Sequence, residues 1–444
     1  MDLPELDPVI HQPTRLRIMA LVHKNRQASF VWVRDVLQLT DGNLGSHAAK
    51  LQDAGYIQQG RVLAASGFQV RLRITPAGDA AFRTYLASLR RYLDLEAAAA
   101  VPEHVLRQEE LRDVADALLP ADDPRRARLL HVFERTRIAS RALANPVEWY
   151  LEPHGFQDRM AAFERVGLDL CERSAREALR LARVPAADLR GIVFVTTTGI
   201  ATPSLDARLA LRLGCPPDVA RVPVWGLGCS GGVAGLNLAA RLASGPSGGP
   251  VLLVALELCS LAFDVRRLLA GDGATDRKTL VSASLFADGC AAAVVDPRAG
   301  AVGLRHVAGT SHLWPATERL MGWDVLDHGL DVVIAPEIPE IVRARLGAVL
   351  DPFLRAHGGR RPDHWLLHPG GAKVLDAYAD GLGCSEAELR WSAEVLREHG
   401  NMSSPTVLFV LQRALDAKAL REGELALLGA LGPGFAADFV LLEG

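Results

Sequence analysis

The sequence predicts a layered α/β domain preceded by a small helix-rich domain that carries a two-stranded hairpin. Three observations point that way. The N-terminal stretch spaces its apolar residues for helices and then alternates; from Pro102 onward helical segments are separated by continuous apolar runs; and the charge changes sign near residue 96. Of the 444 residues, 1–96 carry 12 Lys and Arg against 9 Asp and Glu, a formal +3, and the remainder carries 37 against 43, a formal −6. With 49% hydrophobic and 23% charged residues the chain is neither disordered nor fibrous, and its length exceeds one typical domain. We divide it at 1–95 and 96–444, the larger part as two similar α/β halves of about 96–300 and 301–444.

In the first part Thr14 can cap TRLRIMALVHK, and Ser29 can cap SFVWVRDVL. A turn at Asp41-Gly42 opens a third helix with Leu44, Ala48 and Leu51 on one face, stopped by Gly55. Two alternating runs, residues 56–63 and 68–74, form a hairpin around Ser66-Gly67, and Thr75-Pro76 starts a fourth helix. Helix, helix, helix, two-stranded wing, helix is the order of a winged helix-turn-helix.

The segments TDGNLGSHAAKLQDAGYI and RLRITPAGDAAFRTYLASL resemble the winged-helix DNA-binding domains of MarR-like bacterial regulators, over roughly residues 10–93. The resemblance implies that the third helix enters the major groove and presents Asn43, Ser46, His47 and Lys50, with Arg61, Arg71 and Arg73 of the wing on phosphates. Double-stranded DNA is the implied partner. The competing reading makes these ordinary solvated side chains on a dimerisation or docking module.

In the second part, helices are expected near 106–119, 157–183 and 205–213, and the runs GIVFVTT, VLLVAL, AAAVV and HWLLH read as strands covered on both faces. The stretch VPVWGLGCSGGVAGLNLAARLA is the most informative. A strand runs into Gly228-Cys229-Ser230-Gly231-Gly232, and a helix carries the chain away. A cysteine at such an elbow meets the helix dipole and free N–H groups, which favour a thiolate, so Cys229 is a candidate nucleophile. A small inert core residue is the alternative. Two later segments also put a polar side chain at the mouth of a buried element: His368 before Pro369-Gly370-Gly371, and Asn401 ahead of Ser403-Ser404-Pro405, which can cap an apolar helix.

Taken in order, GCSGGVAGL, ELCSLAF, SLFADGCAAAVV, LLHPGGAKVL, HGNMSSPTVLFVL and LGPGF resemble the type III polyketide synthases, the chalcone-synthase-like branch of the thiolase superfamily, over about residues 102–444. The resemblance implies a thiolase-like αβαβα domain, catalytic Cys229, His368 and Asn401, and acyl-CoA and malonyl-CoA as substrates with no further cofactor and no metal. It implies a thiolate at Cys229 paired with a His368 imidazolium, and a homodimer. Phe263 and Val332 match the two gatekeeper positions; valine there is expected to widen the passage for a bulkier starter. Arg128 and His131 match positions for CoA phosphates and read equally well as solvated helix residues. Gly370 and Gly371 border the substrate, and Leu431 stands where the family has Phe. An active synthase is the leading reading; a regulator that senses an acyl-CoA or polyketide through the same domain is the second.

The six cysteines are scattered, without CxxC or zinc spacing, which fits a reduced compartment. The acidic, Pro-containing start is unlike a signal peptide, and the apolar run 251–263 is short and broken by Glu257, so a cytoplasmic protein without membrane contact is expected. At the seam, a strand is expected over 97–101, although four alanines also propagate a helix well.

Overall fold

The computed structural model describes residues 7–64, 67–90, 98–119, 126–245, 248–262, 264, 274–297, 304–326 and 329–444. The chain divides into two units, Met1–Asp94 and Leu95–Gly444.

In the first unit the helices are Pro13–Asn25, Phe30–Leu37, Asp41–Asp53 and Pro76–Arg90, with strands Ile57–Ala64 and Gly67–Ile74 between the last two. Side chains set the helix starts, although two caps differ from expectation. Gln12, not Thr14, accepts the Arg15 N–H at 2.8 Å, because Pro13 opens the helix and moves its boundary back. Thr40 accepts the Asn43 N–H, which places Asp41-Gly42 in the first helical turn instead of a preceding turn. Ser29 caps as expected. A short strand, Gln27–Ser29, pairs with Gly67–Ile74 and makes the wing three-stranded; three residues are too few to show a period. Ile18, Met19, Val22, Val33, Leu44, Ala48, Leu51, Leu72 and Phe82 form this unit's own core.

Among the described residues the second unit has two large sheets and two two-stranded ones. The first has five strands in the order Ala98–Ala100, Asp288–Val295, Val251–Leu258, Gly191–Thr196, Ala220–Trp225; the second has four, Arg305–Leu313, Ala436–Glu443, Leu425–Gly432, His364–Leu367. Continuous apolar strands bury both faces. Within Gly191–Thr196, Ile192 and Phe194 pack with the helices Phe156–Leu181 and Leu205–Leu213, whereas Val193 and Val195 face the helices Gly231–Ala243 and Thr406–Asp416. Leu428 and Val440 of the second sheet cover the other side of those two helices, and the far face of that sheet packs on Ile338–Ala356 and Ala372–Leu382. The layers therefore run helix, sheet, helix, sheet, helix. At the seam Ala98–Ala100 forms a strand against Asp288–Val295: an edge position in a sheet wins over alanine's helix propensity, which tertiary pairing overrides.

This layering decides where chemistry can occur. Both central helices begin at one end of the sheets, so the segments before them, Gly228–Ser230 and residues 401–405, meet there, and His368 ends the strand His364–Leu367 beside them.

Candidate active site

Cys229 lies in the single 3-10 turn Gly228–Ser230 between strand Ala220–Trp225 and helix Gly231–Ala243, and it is half-buried. Gly228 takes φ +49, the left-handed region that glycine enters without cost, and so turns the chain sharply before the cysteine. Gly232 allows close packing: a Cβ there would stand 2.3 Å from the Ser404 carbonyl oxygen. A side chain at 232 would push apart the two helices that carry Cys229 and Asn401.

Asn401 is held on both ends of its amide. Its Oδ1 accepts the Ser403 N–H at 2.8 Å, and its Nδ2 donates to the Gly370 carbonyl at 3.1 Å, an arrangement that fixes which end is nitrogen. The Cys229 thiol donates to the same Oδ1 at 4.0 Å. The backbone is fixed too, with Asn401 N–H bonded to Leu285 O at 3.0 Å and Ala287 N–H to Asn401 O at 2.9 Å. Asn401 therefore has one amide hydrogen left for the pocket. Gly370, whose N–H reaches His368 O at 3.0 Å, joins the asparagine to the histidine. Gly371, φ +158, starts the helix Ala372–Leu382. His368 is 1% exposed, its backbone N–H donates to Gly429 O at 2.7 Å, and neither ring nitrogen has a partner among the described residues. A buried imidazole with both nitrogens open is an exception to the rule that buried polar atoms are paired.

Burial sets the resting charges. It pushes the Cys229 thiol up to about 11, with the Glu257 charge adding to the rise and hydrogen bonds from Ser403 and Asn401 opposing it; it pushes His368 down to about 3. Burial therefore works against the expected thiolate–imidazolium pair and favours the neutral form of each group. A helix terminus favours a thiolate by only about 1 kcal/mol, which does not offset taking the charge out of water. A neutral imidazole keeps one N–H to donate and one lone pair to accept a proton.

Residues 95–298 match the N-terminal domain of chalcone and stilbene synthases, residues 306–444 match the C-terminal domain, and residues 14–93 match a winged helix DNA-binding domain. The 1,3,6,8-tetrahydroxynaphthalene synthase of Streptomyces peucetius subsp. caesius is 42% identical over 355 residues, 78% of this chain and 91% of that protein. The chain belongs to the type III polyketide synthases. A 3,5-dihydroxyphenylacetyl-CoA synthase of Amycolatopsis orientalis is 32% identical over 78% of this chain and 91% of its own length. Among solved structures, 1,3,6,8-tetrahydroxynaphthalene synthase from Streptomyces coelicolor A3(2), a bacterial type III polyketide synthase, superposes with a TM-score of 0.73 at 31% identity, covering 79% of this chain and 99% of that one. This synthase is accordingly an acyltransferase of thiolase-like fold that carries a winged-helix domain, and as a type III enzyme it uses CoA thioesters with no further cofactor.

Phe263 lies outside the described residues. The phenylalanine found against Val332 is Phe286, in a cluster with Cys259 and Trp323, and Phe286 also forms an isolated bridge with Asn401. Sequence reasoning missed it, although Phe286 stands in the SLFADG motif directly before a buried strand. Val332 is 5% exposed and pairs across its hairpin with Trp323, whose ring lies 5.5 Å from that of Phe286. An indole therefore stands beside Val332 on the opposite strand. Leu431 is buried in the core of the second sheet. His131 is exposed and bonded to Glu134 Oε2 at 2.5 Å, so a phosphate would compete with a carboxylate for it, and the Arg128 side chain lies outside the described residues.

In the winged-helix domain of the synthase, Asn43, Ser46 and Lys50 are exposed on helix Asp41–Asp53, opposite buried Leu44, Ala48 and Leu51. His47 is only half-exposed, and burial followed by the charges of Arg15 and Lys50 lowers its pKa, so it is a poor cation for DNA. Arg73 is exposed and Arg71 half-buried, on the face of their strand opposite Leu72 and Ile74; the Arg61 side chain is outside the described residues. No helix among the described residues is long and apolar enough to cross a membrane, and no three His, Cys, Asp or Glu among them are grouped to hold a metal ion.

Proposed function

We propose that this protein condenses an acyl-CoA starter with malonyl-CoA on Cys229 and releases a hydroxylated aromatic polyketide, while its winged-helix domain binds double-stranded DNA. The observation that carries the first half is Asn401, clamped at both ends with one amide hydrogen free, its Oδ1 in contact with the Cys229 thiol and its Nδ2 tied to Gly370, two residues after the unpartnered His368 ring. Cys229 sulfur attacks the starter thioester as its proton passes to His368, and CoA leaves as the thiol by taking that proton back. Malonyl-CoA then loses CO2. The negative charge that develops on its thioester oxygen receives hydrogen bonds from the His368 N–H and Asn401 Nδ2, and the carbanion attacks the Cys229 thioester carbonyl; the carbon–sulfur bond breaks, the lengthened chain stays on CoA, and the released sulfur regains a proton from water. A neutral His368, the form that burial favours, still keeps one N–H for its bond. A sensor that only bound acyl-CoA would have no use for the nucleophile. The product class draws on the naphthalene synthase to which the chain is 42% identical. The homodimer and the cytoplasmic location belong to the same proposal.

Incubation with malonyl-CoA and a panel of acyl-CoA starters tests the reading. CO2 release with condensed products is expected; free acid alone would make the protein a thioester hydrolase, and neither acylation nor CO2 with any starter would contradict it. Trp323 packs between Val332 and Phe286 on this reading's acyl wall, so a short starter is expected to be preferred. Trp323→Ala should raise kcat/KM for medium-chain over short-chain starters by about tenfold, since even one methylene in an apolar pocket discriminates at that level. For DNA, Lys50→Ala should weaken binding to the gene's flanking sequence by about tenfold and flatten its salt dependence by one phosphate contact. Unchanged gel shifts would remove helix Asp41–Asp53 from the interface.

A further inference from the structure

One buried cation in the synthase domain takes no part in the steps above, yet it grips the backbone that holds Asn401. Arg141, in the strand Ser140–Leu143, is 1% exposed. Its Nη1 donates to the carbonyls of Ala283 at 2.7 Å and Phe286 at 2.9 Å, and its Nη2 donates to Ser284 O at 2.6 Å and to Gln108 Oε1. Gln108, the first residue of helix Gln108–Leu118, directs its Nε2 to Ser284 O at 2.9 Å and to Thr136 Oγ1 at 3.0 Å, so arginine and glutamine share one carbonyl. Ala283 and Ser284 lie in the last turn of helix Ala274–Leu285, where carbonyls have no partner within the helix and the dipole favours a cation. The residues between these carbonyls lead to the site. Leu285 O accepts the Asn401 N–H at 3.0 Å, and Ala287 N–H donates to Asn401 O at 2.9 Å. Both backbone groups of Asn401 thus end on the stretch that Arg141 grips. The residues beside Arg141 hold the approach from the other direction: Ala139 N–H donates to Arg397 O at 2.7 Å and the Ser140 hydroxyl to Glu398 O at 2.9 Å, near the end of helix Arg390–His399. Gly400, φ +71, joins that helix to Asn401, and a Cβ there would stand 3.3 Å from Leu285 O and 3.6 Å from the Arg141 Cβ.

We propose that Arg141 is a positioning residue for decarboxylation: by holding the carbonyls of Ala283, Ser284 and Phe286 it fixes where the Asn401 amide stands in the pocket. This rests on Asn401 being the donor to the enolate oxygen. A guanidinium suits the task because its planar fork carries four terminal hydrogens, one for each acceptor, whereas a lysine ammonium offers three from a single point. None of the bonds named reaches the turn Gly228–Ser230, so the grip bears on Asn401 and not on the nucleophile. Acylation of Cys229 should therefore be indifferent to Arg141, and the step that needs the enolate should depend on it.

The full-length protein is compared with Arg141→Lys, which keeps the charge and loses the fork, and with Gln108→Met, which carries the test if lysine at 141 prevents folding. Three quantities are read: acylation of Cys229 by a starter, decarboxylation of malonyl-CoA per acylatable Cys229, and deuterium exchange of the peptides holding Ala287 and Asn401. Arg141→Lys is expected to slow decarboxylation by about tenfold to a hundredfold, the cost of displacing a catalytic group by about an ångström. Acylation and the KM for malonyl-CoA should change by about twofold at most, because neither depends on a donor used only in the transition state. In an Asn401→Ala background the same substitution should cost about twofold at most, since no donor is left to misplace. The Ala287 and Asn401 peptides are expected to exchange about tenfold faster, and the Cys229 peptide at the wild-type rate. Gln108→Met should show the same split at a smaller size. Acylation and decarboxylation slowed together, an undiminished loss in the Asn401→Ala background, or unchanged exchange at Ala287 and Asn401 overturns the proposal. Exchange requires no turnover, so a wild-type protein that makes no condensed product sinks the condensation reading, while exchange still decides whether Arg141 holds Asn401.

Discussion

Cys229→Ala is expected to eliminate both acyl-enzyme formation and condensation, a loss of at least about a thousandfold in turnover, because no second group takes over covalent chemistry when the nucleophile is removed. Cys259 is the nearest alternative thiol by its electrostatic contact with Cys229, and it is wholly buried, its thiol held well above its ordinary range by burial first and then by Glu257 and Asp288. The fold should survive, since Cys229 is half-buried and its thiol makes only weak polar contacts, with Asn401 and Ser403. Residual acylation of the Cys229→Ala protein at an unchanged rate would place the nucleophile elsewhere.

The second large effect concerns Asn401. Asn401→Ala should lower kcat for condensation by about a hundredfold to a thousandfold, the usual cost of one oxyanion donor, while acylation of Cys229 by the starter persists. Splitting the two half-reactions matters, because alanine also leaves Ser403 N–H and Gly370 O without their partner, at about 1–3 kcal/mol each if they stay buried. Asn401→Asp controls for this: a carboxylate can still accept from Ser403 but has no hydrogen for the enolate, so it should keep more stability than alanine and equally little decarboxylation. Decarboxylation at the wild-type rate in both variants would leave His368 to stabilise the enolate alone.

Much of this was readable along the chain, and the limits have physical causes. Period-3.6 helices and doubly buried strands are local signals, so Phe156–Leu181, Gly191–Thr196 and Val251–Leu258 were visible in outline. The elbow at Cys229 could be argued from glycine spacing, and His368 and Asn401 from their place before turns. Charge states could not. Packing decides how far each group is taken out of water, and that loss of water pushes the Cys229 thiol up against the pull of the helix start. Cross-strand partners are equally hidden: Val332 in isolation reads as a loss of bulk, and Trp323, nine positions earlier, meets it only once the hairpin register pairs them. Glu257 read simply as an interruption of an apolar run, since the Thr197, Thr198 and Ser404 donors that hold its carboxyl group come from segments about 60 and 147 residues away in sequence. In the winged-helix unit, Pro13 and Thr40 each moved a helix boundary by a residue or two, the usual uncertainty of helix ends.

The central claim is that Cys229 carries the acyl chain and that Asn401 acts only afterwards. Intact-protein mass spectrometry after brief incubation with an acyl-CoA starter, followed by peptide mapping, tests it directly. The account predicts one acyl group on Cys229 in the wild type and in Asn401→Ala, none in Cys229→Ala, and discharge of that group on adding malonyl-CoA in the wild type alone. An acyl group absent from Cys229 with every starter, or discharged as readily in Asn401→Ala as in the wild type, would contradict it.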